Sequence, residues 1–592
     1  MVATSATSSR STSHRGSSHP QSQPADGTQP CTPGQRFHDD VAAACLAAYH
    51  ALPAKGAKPA RRTNSRLEWT ILAGLVLSRS DDDVGPPCSP RCCTAEHEHH
   101  FLAISIATGL KCLPYDRLPL NGDVLHDTHA EVLARRGART WLLAKLDQEV
   151  HAAQLAPVAA TGAAPDVASV DYGLWASIFE RSPKTARWRL RHGIGLHWYV
   201  SAMPCGDASS QLLAFQQAKQ DQEAGVQGTI TPEQLLDRFE GIGARHGDTD
   251  GSVASLGPAT ASTPSRGRAA GGGGSATLRT KPGRPDSPPS ICMSCSDKLA
   301  LWAQLGIQGS LASAVLEPIR PHSIIMGDEA LRQVLPSEGD QFRRFRAVLL
   351  AECKRAISLR LERASDLPSP AVAWTSVAFV DSRESVERRT RAEMARQSTG
   401  RSWSECEPVP CAGSILCSPP TAPGTAGLYE NLVGGTRMGA PARHRAPRDP
   451  LKPSSRSRVC KLDYYREATS ILARLRPDLG PAAGRSYLDA KHRLDDGGVR
   501  AYRQAKALLV GGRCNDKRDA LLESLAAEFV TSRRIPVRHS AAAEVSVECD
   551  AAPPQADGLA RPDVPPFAAW LVTPSRYEHF DIEGRILGPA SS

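Results

Sequence analysis

Asp127-Thr128-His129-Ala130-Glu131-Val132-Leu133-Ala134-Arg135-Arg136 places a candidate metal ligand, a candidate proton carrier and two adjacent arginines at the opening of a helical pattern. His-x-Glu alone is a weak signal, because a solvated His and Glu in a first helical turn has the same spelling. Two other segments give it weight. Ser201-Ala202-Met203-Pro204-Cys205-Gly206-Asp207-Ala208 ends an apolar, strand-like run, and Met293-Ser294-Cys295-Ser296-Asp297-Lys298 precedes another helical stretch. His129, Cys205, Cys295 and a non-ligating Glu131 are the inventory of a zinc site that keeps its fourth position open for water.

The surrounding pattern supports that reading. Val132, Leu133, Leu142, Leu143 and Leu146 give the helix after His129 a buried face, so its first turn is held still. Cys205 opens a helical pattern from Ala208 to Ala218, and Cys295 opens one with Ser296 or Asp297 as cap and Leu299, Leu301, Trp302 and Leu305 as its buried face. A thiol at a helix N-terminus has its anion stabilised by the dipole and free N–H groups, which favours the thiolate that zinc needs. Asp39 and Asp40 can cap an earlier helix carrying Val41, Cys45, Leu46 and Tyr49. Trp69 to Leu77, Phe101 to Ala107, Leu196 to Val200 and Ser323 to Gly327 read as strands, and Asp328 to Ala364 as mostly helical. The expected fold class is α/β, a mixed sheet flanked by helices.

At the three motif segments the chain resembles the adenosine deaminases that act on RNA, from about Phe37 to Phe580 with interruptions. The most specific part is Cys295-Ser296-Asp297-Lys298 followed by Gly306-Ile307-Gln308-Gly309-Ser310. The commoner zinc deaminase signature is Pro-Cys-x-x-Cys. Here position 208 is Ala and the second cysteine comes 90 residues after Cys205 (295 − 205), which points to the ADAR and tRNA deaminase branch. Arg279-Thr280-Lys281-Pro282-Gly283-Arg284-Pro285-Asp286 resembles the short loop of the tRNA enzymes, where double-stranded RNA editors carry a longer one. The resemblance implies a cytidine-deaminase-like core with a mostly helical C-terminal extension, and deamination of adenosine 37 beside the anticodon of alanine tRNA. It also implies a buried inositol hexakisphosphate held by Arg135, Arg136, Lys298, Ser310, Lys461, Tyr487, Lys491, Tyr502, Lys506 and Trp570. Asp127 and Lys298 match positions linking the metal to that ligand, and Lys111 one near the substrate backbone. Leu301 stands where the family has an arginine, and Val572 and Thr573 where some relatives have Glu and Lys.

Composition sets the outer bounds. Lys and Arg exceed Asp and Glu by nine (71 − 62), which suits a polyanionic partner without identifying one. Sixteen cysteines without an N-terminal apolar signal argue for reduced thiols, hence cytosol or nucleus. No uninterrupted apolar run reaches membrane-spanning length. Residues 1–35 read as a disordered Ser/Thr/Pro/Gly-rich tail. Arg10 and Arg15 there permit a mitochondrial transit peptide, although no amphipathic stripe accompanies them. A single deaminase domain over 36–590 is expected, with low-complexity insertions near 150–168, 241–276 and 400–427. Cys88, Cys92, Cys93, His97, His99 and His100 have the ligand types of a second metal site but sit where a loop must join two strands, and read as a surface insertion. Two other functions compete: an editor of double-stranded RNA, though no double-stranded-RNA-binding module is read before Phe37, and a silent RNA-binding protein with structural zinc, disfavoured by Glu131. No membrane or DNA partner is expected.

Overall fold

The structure, a computed structural model, describes residues 33–587 apart from 63–65, 81–98, 156–172, 248–263, 267–276, 284–286, 336–338, 360–366, 398–400, 441–448, 480–485 and 512–564. Alternation along one strand sets the layering. In β1 (Leu72–Ser80) successive side chains point to opposite faces. Leu72 and Val76 share a core with Val41, Cys45, Leu46 and Tyr49 of α1 (Pro33–His50). Ala73, Leu75 and Leu77 share another with Leu133, Leu142, Leu143 and Leu146 of α2 (Ala130–Leu155). A Cβ on Gly74 would stand 2.4 Å from the Cys45 sulfur, so the glycine sets how closely α1 lies on the sheet.

The sheet continues through β2 (His99–Thr108), β3 (Ile194–Val200), β4 (Ser323–Gly327), β5 (Ala371–Thr375), β6 (Gly413–Ser418), β7 (Leu428–Val433) and β8 (Thr436–Arg437). Its order is β5-β4-β3-β1-β2-β6-β7-β8. The β3–β4 and β4–β5 pairs are parallel and the others antiparallel. The mixed, helix-flanked sheet agrees with the expected fold class. The described part of the C-terminal extension opens with helices and is part of the core: the helix Lys461–Leu475 buries Leu462, Tyr464, Tyr465, Ala468, Ile471 and Leu472 in the cluster that holds α2. No helix among the described residues is long and apolar enough to cross a membrane.

Several boundaries differ from the sequence reading. The first helix begins at Pro33, six residues before Asp39, because the fixed φ of proline suits a first helical position; the tail before it lies outside the described residues. The expected insertion near 400–427 contains β6, whose Gly413, Ile415 and Leu416 are buried between β2 and β7. Gly413 opens the strand and most of the other Pro and Gly of this stretch flank it, and a six-residue strand among them has too short a pattern to stand out. The insertion placed at 241–276 starts within a helix, Pro232–Gly247, and the one at 150–168 starts within the last two turns of α2. The remainder of both, and Cys88 to His97, lie outside the described residues, apart from a few residues around Ser265.

Candidate active site

His129 sits immediately before α2 (Ala130–Leu155), and Asp127 fixes its ring. The His129 amide donates to Asp127 Oδ1 at 3.0 Å, and Nδ1 lies 2.9 Å from the same oxygen. A ring nitrogen donating to a carboxylate leaves the other free of its proton, the state a metal ligand needs. The other carboxylate oxygen of Asp127 takes Lys298 Nζ at 2.6 Å and Lys281 Nζ at 2.9 Å. Burial alone would raise the Asp127 pKa, but Lys281, Lys298 and His129 together hold it well below the usual carboxylate range. The segment is anchored from behind by Ala130 N–H donating to Gly109 O at 3.1 Å. Gly109 has φ +149°, and a Cβ there would fall 2.0 Å from Thr128 O. Lys111 contributes its carbonyl to Thr128, while its side chain is exposed.

The two cysteine segments meet this one. Cys205 follows β3 (Ile194–Val200) but precedes a short 3₁₀ turn, Asp207–Ser209, so α3 (Ser210–Glu223) starts later than expected. Cys295 is the first residue of α4 (Cys295–Leu305), whose cap is Ser294: its Oγ accepts from the Asp297 amide at 3.2 Å and donates to Asp297 Oδ2 at 2.6 Å. The expected caps Ser296 and Asp297 thus lie inside the helix. The Cys295 amide donates to Cys205 Sγ at 3.4 Å and the Ser296 amide to Cys205 O at 3.0 Å. Gly206 permits this approach: its φ is +116°, and a Cβ there would fall 2.3 Å from Ser294 Oγ. The Cys295 hydrogen bond, aided by Lys281 and His129, brings the Cys205 thiol down to about 6 despite burial. Burial first, then Cys205 and Glu131, push Cys295 up.

Glu131, in the first turn of α2, is 3% exposed and interacts electrostatically with Cys205, Cys295 and Lys281. Among the described residues no group of three His, Cys, Asp or Glu side chains has the geometry of a metal site. The donor set nevertheless suits zinc: two thiols in contact, one readily ionised, and an imidazole whose tautomer is set by a carboxylate. Lys281 was legible only as a loop residue. Buried, it bridges Asp127 and Cys295, with Nζ 3.1 Å from the Cys295 sulfur.

One turn further along α2 the chain gathers cations. Arg135, Arg136 and Arg139 lie near one another, and burial first, with Arg139 adding, lowers both Arg135 and Arg136 to about 10. Arg136 donates to Val459 O at 2.9 Å; Arg135 lies over Trp302, 4.5 Å from the ring centre, and Arg139 over Tyr464 at 3.7 Å. Lys461 and Lys491 both reach Glu578, which is 1% exposed. Burial pushes Lys461 down to about 8, with Lys491 and Arg136 adding to the effect and Glu578 opposing it. Tyr487 and Tyr502 face Arg136 and Arg135 respectively. Ser310 Oγ donates to Lys491 O at 2.8 Å, and Lys506 is half-buried one turn after Tyr502 on the helix Gly497–Val510. Trp570 packs in an apolar cluster with Leu301, so the leucine that replaces an arginine is absorbed by that cluster. Sequence reading missed Arg139, Glu578 and His126, whose buried Nε2 has no hydrogen-bond partner among the described residues. Arg139 had a signal, one turn after Arg135 on an established helix. Glu578 had none, being 117 residues beyond Lys461 (578 − 461).

One His, two Cys and a buried Glu beside a mixed α/β sheet are the residue types that the zinc-dependent nucleobase deaminases use. The adenosine-deaminase (editase) domain family matches residues 105–411, and the chain belongs to it. The match includes His129, Glu131, Cys205 and Cys295 and ends before Lys461. The chain is similar to tRNA-specific adenosine deaminase 1 of Schizosaccharomyces pombe, 30% identical over 278 residues, 46% of this chain and 53% of that protein. It is also 30% identical over 261 residues to the double-stranded RNA-specific editase Adar of Drosophila melanogaster, covering 43% of this chain and 29% of the editase. With tRNA-specific adenosine deaminase 1 of Homo sapiens it is 26% identical over 516 residues, 75% and 90% of the two chains. The match thus spans about half of the yeast relative and under a third of the fly editase.

Proposed function

We propose that this chain is a zinc-dependent deaminase converting adenosine to inosine in tRNA, at position 37 beside the anticodon of alanine tRNA. The observation that carries the reading is the convergence of His129, Cys205, Cys295 and Glu131 around the Asp127–Lys281 pair. His129, Cys205 and Cys295 would hold zinc, which lowers the pKa of a water toward neutrality. Asp127 keeps the His129 ring in one tautomer and orientation. Glu131 accepts the water's proton and passes it to purine N1 as the oxygen adds to C6, then assists loss of ammonia. Lys281, with its ammonium 3.1 Å from the Cys295 sulfur, would favour the thiolate there against the burial that raises that thiol.

The substrate assignment draws on coverage and on the short loop after Arg279. Similarity runs over 90% of the human tRNA enzyme but 29% of the fly editase. A base in a tRNA loop is already unpaired, so the enzyme need not supply the few kcal/mol of unstacking that a duplex target requires. The purified protein is expected to form inosine in folded tRNA and to leave perfect duplexes untouched, read by inosine analysis of both substrates alongside zinc content. Comparable rates on long duplex RNA would assign it to the editors, and zinc without inosine on either to a silent RNA-binding protein.

We also infer one inositol hexakisphosphate beside α2, with Arg135, Arg136, Lys298, Ser310, Lys461, Tyr487, Lys491, Tyr502, Lys506 and Trp570 as its shell. Keeping Lys461 charged at pH 7 with its pKa at about 8 opposes folding by roughly 3 kcal/mol, at ~1.4 kcal/mol per unit below the ordinary value. One carboxylate, Glu578, is shared by Lys461, Lys491 and His492. A multiply phosphorylated ring satisfies such a set through many charge-assisted hydrogen bonds. Acid extraction of denatured protein is expected to release about one equivalent; active, zinc-loaded enzyme that releases none refutes the inference.

A further inference from the structure

Behind the site lies a second pair of thiols that the chemistry above does not use. Cys112 and Cys292 are close enough to couple electrostatically. The contacts around them place the two thiols side by side. Cys112 Sγ lies 3.6 Å from Ser290 Oγ, and the same oxygen accepts the Cys292 amide at 3.1 Å. Cys292 Sγ lies 3.7 Å from His126 O, which also accepts the Leu113 amide at 2.8 Å. Cys292 is 5% exposed and Cys112 is half-buried.

The two segments that carry these thiols hold the site. Cys112 pairs antiparallel with Asp127, and Lys111 O takes the Thr128 amide at 2.9 Å. Cys292 O takes the Lys281 amide at 2.7 Å, and Thr280 pairs antiparallel with Met293. A covalent bond between the two sulfurs would therefore pull directly on the backbones that set Asp127 and Lys281, and through them His129 and Cys295. In a chain whose other described cysteines are also free, a close thiol pair touching both strands of the site has a regulatory rather than a framework placement.

We propose that Cys112 and Cys292 are a reversible oxidation site, forming a disulfide with hydroperoxides and thereby displacing Asp127 and Lys281 from their positions at the candidate active site. The thiolate of the pair attacks one oxygen of hydrogen peroxide; the O–O bond breaks, hydroxide leaves, and a sulfenic acid remains. The second thiol attacks that sulfur and gives up its proton, and water leaves as the S–S bond forms. Two electrons pass from the sulfurs to the peroxide, and a small dithiol restores the pair by exchange. The effect on turnover rests on the deaminase reading; formation of the disulfide does not.

The test treats the full-length protein with graded hydrogen peroxide, maps disulfides on non-reduced peptides and measures inosine formation and zinc release. The expected result is a Cys112–Cys292 peptide appearing with a loss of turnover of at least fivefold, reversed by dithiothreitol. Cys292→Ser, which keeps a hydrogen-bonding group toward His126 O, is expected to retain untreated activity and resist the same dose. Loss of activity in both proteins with zinc release and no linked peptide would place oxidation at Cys205 and Cys295 and overturn the proposal. A linked peptide with unchanged turnover would overturn the coupling to the site. If untreated protein makes no inosine on any RNA, the deaminase reading fails, while the peptide map still decides whether the pair closes.

Discussion

Glu131→Gln is expected to lower deamination by about 10³-fold or more while the bound metal stays, because general acid–base catalysis contributes about 10²–10⁴-fold and here one group serves both proton transfers. Glu131 lies at 3% exposure in the first turn of a helix whose core face is independently packed, so an isosteric amide leaves the local fold in place. Single-turnover inosine formation with zinc quantified in the same preparation reads both halves. Cys205→Ala and Cys295→Ala should behave differently, losing metal and soluble yield together, since each also removes a partner of the other. Turnover within tenfold of wild type in Glu131→Gln would remove the proton carrier from the proposed mechanism.

The second large effect is on stability. Asp127→Asn is expected to destabilise the fold by about 3–5 kcal/mol, because it removes the one carboxylate that neutralises two largely buried ammonium groups, Lys281 and Lys298. Against a total of about 5–15 kcal/mol, that should show as a large fall in the urea midpoint or as loss of soluble protein. The dependence on pH follows from the depressed pKa of Asp127. The folded state keeps this carboxylate ionised at pH values where the unfolded chain would protonate it. Its contribution is therefore complete above the unfolded pKa of about 3.9 and is lost only as pH falls further toward the folded value. Urea titrations of the wild type and Asp127→Asn should differ by a constant amount above pH 5 and converge in strong acid. A difference below 1 kcal/mol at pH 7 would mean that water, and not Asp127, solvates the two lysines.

What was legible in the chain was local. His129, Glu131, Cys205 and Cys295 stand out because each opens an element with its own short signature, and α2, β3 and α4 carry apolar patterns that a single segment reveals. The pair Arg135 and Arg136 was visible for the same reason, one turn inside a helix whose buried face was already clear. Ser294 as the cap of α4 was missed by two or three residues, as expected when several hydroxyl and carboxylate side chains compete for one helix start. Strand β6 was lost among prolines and glycines, because six residues buried on both faces carry no alternation to set them apart from a loop.

Only the tertiary structure decided the partnerships. Lys281 acquires its place because Arg279 to Lys281 runs beside Cys292 to Ser294, which carries its ammonium between Asp127 and the Cys295 sulfur from 154 residues away in sequence (281 − 127). Glu578 becomes the shared counter-ion of Lys461, Lys491 and His492 in the same way, by a loop folding back over the helix Lys461–Leu475. Cys112 and Cys292 are two unremarked thiols until Ser290 and His126 bring them together. Residue type and spacing report what a segment can do by itself. Which charges are buried, and against what, depends on contacts between distant segments, and burial is what makes those charges matter.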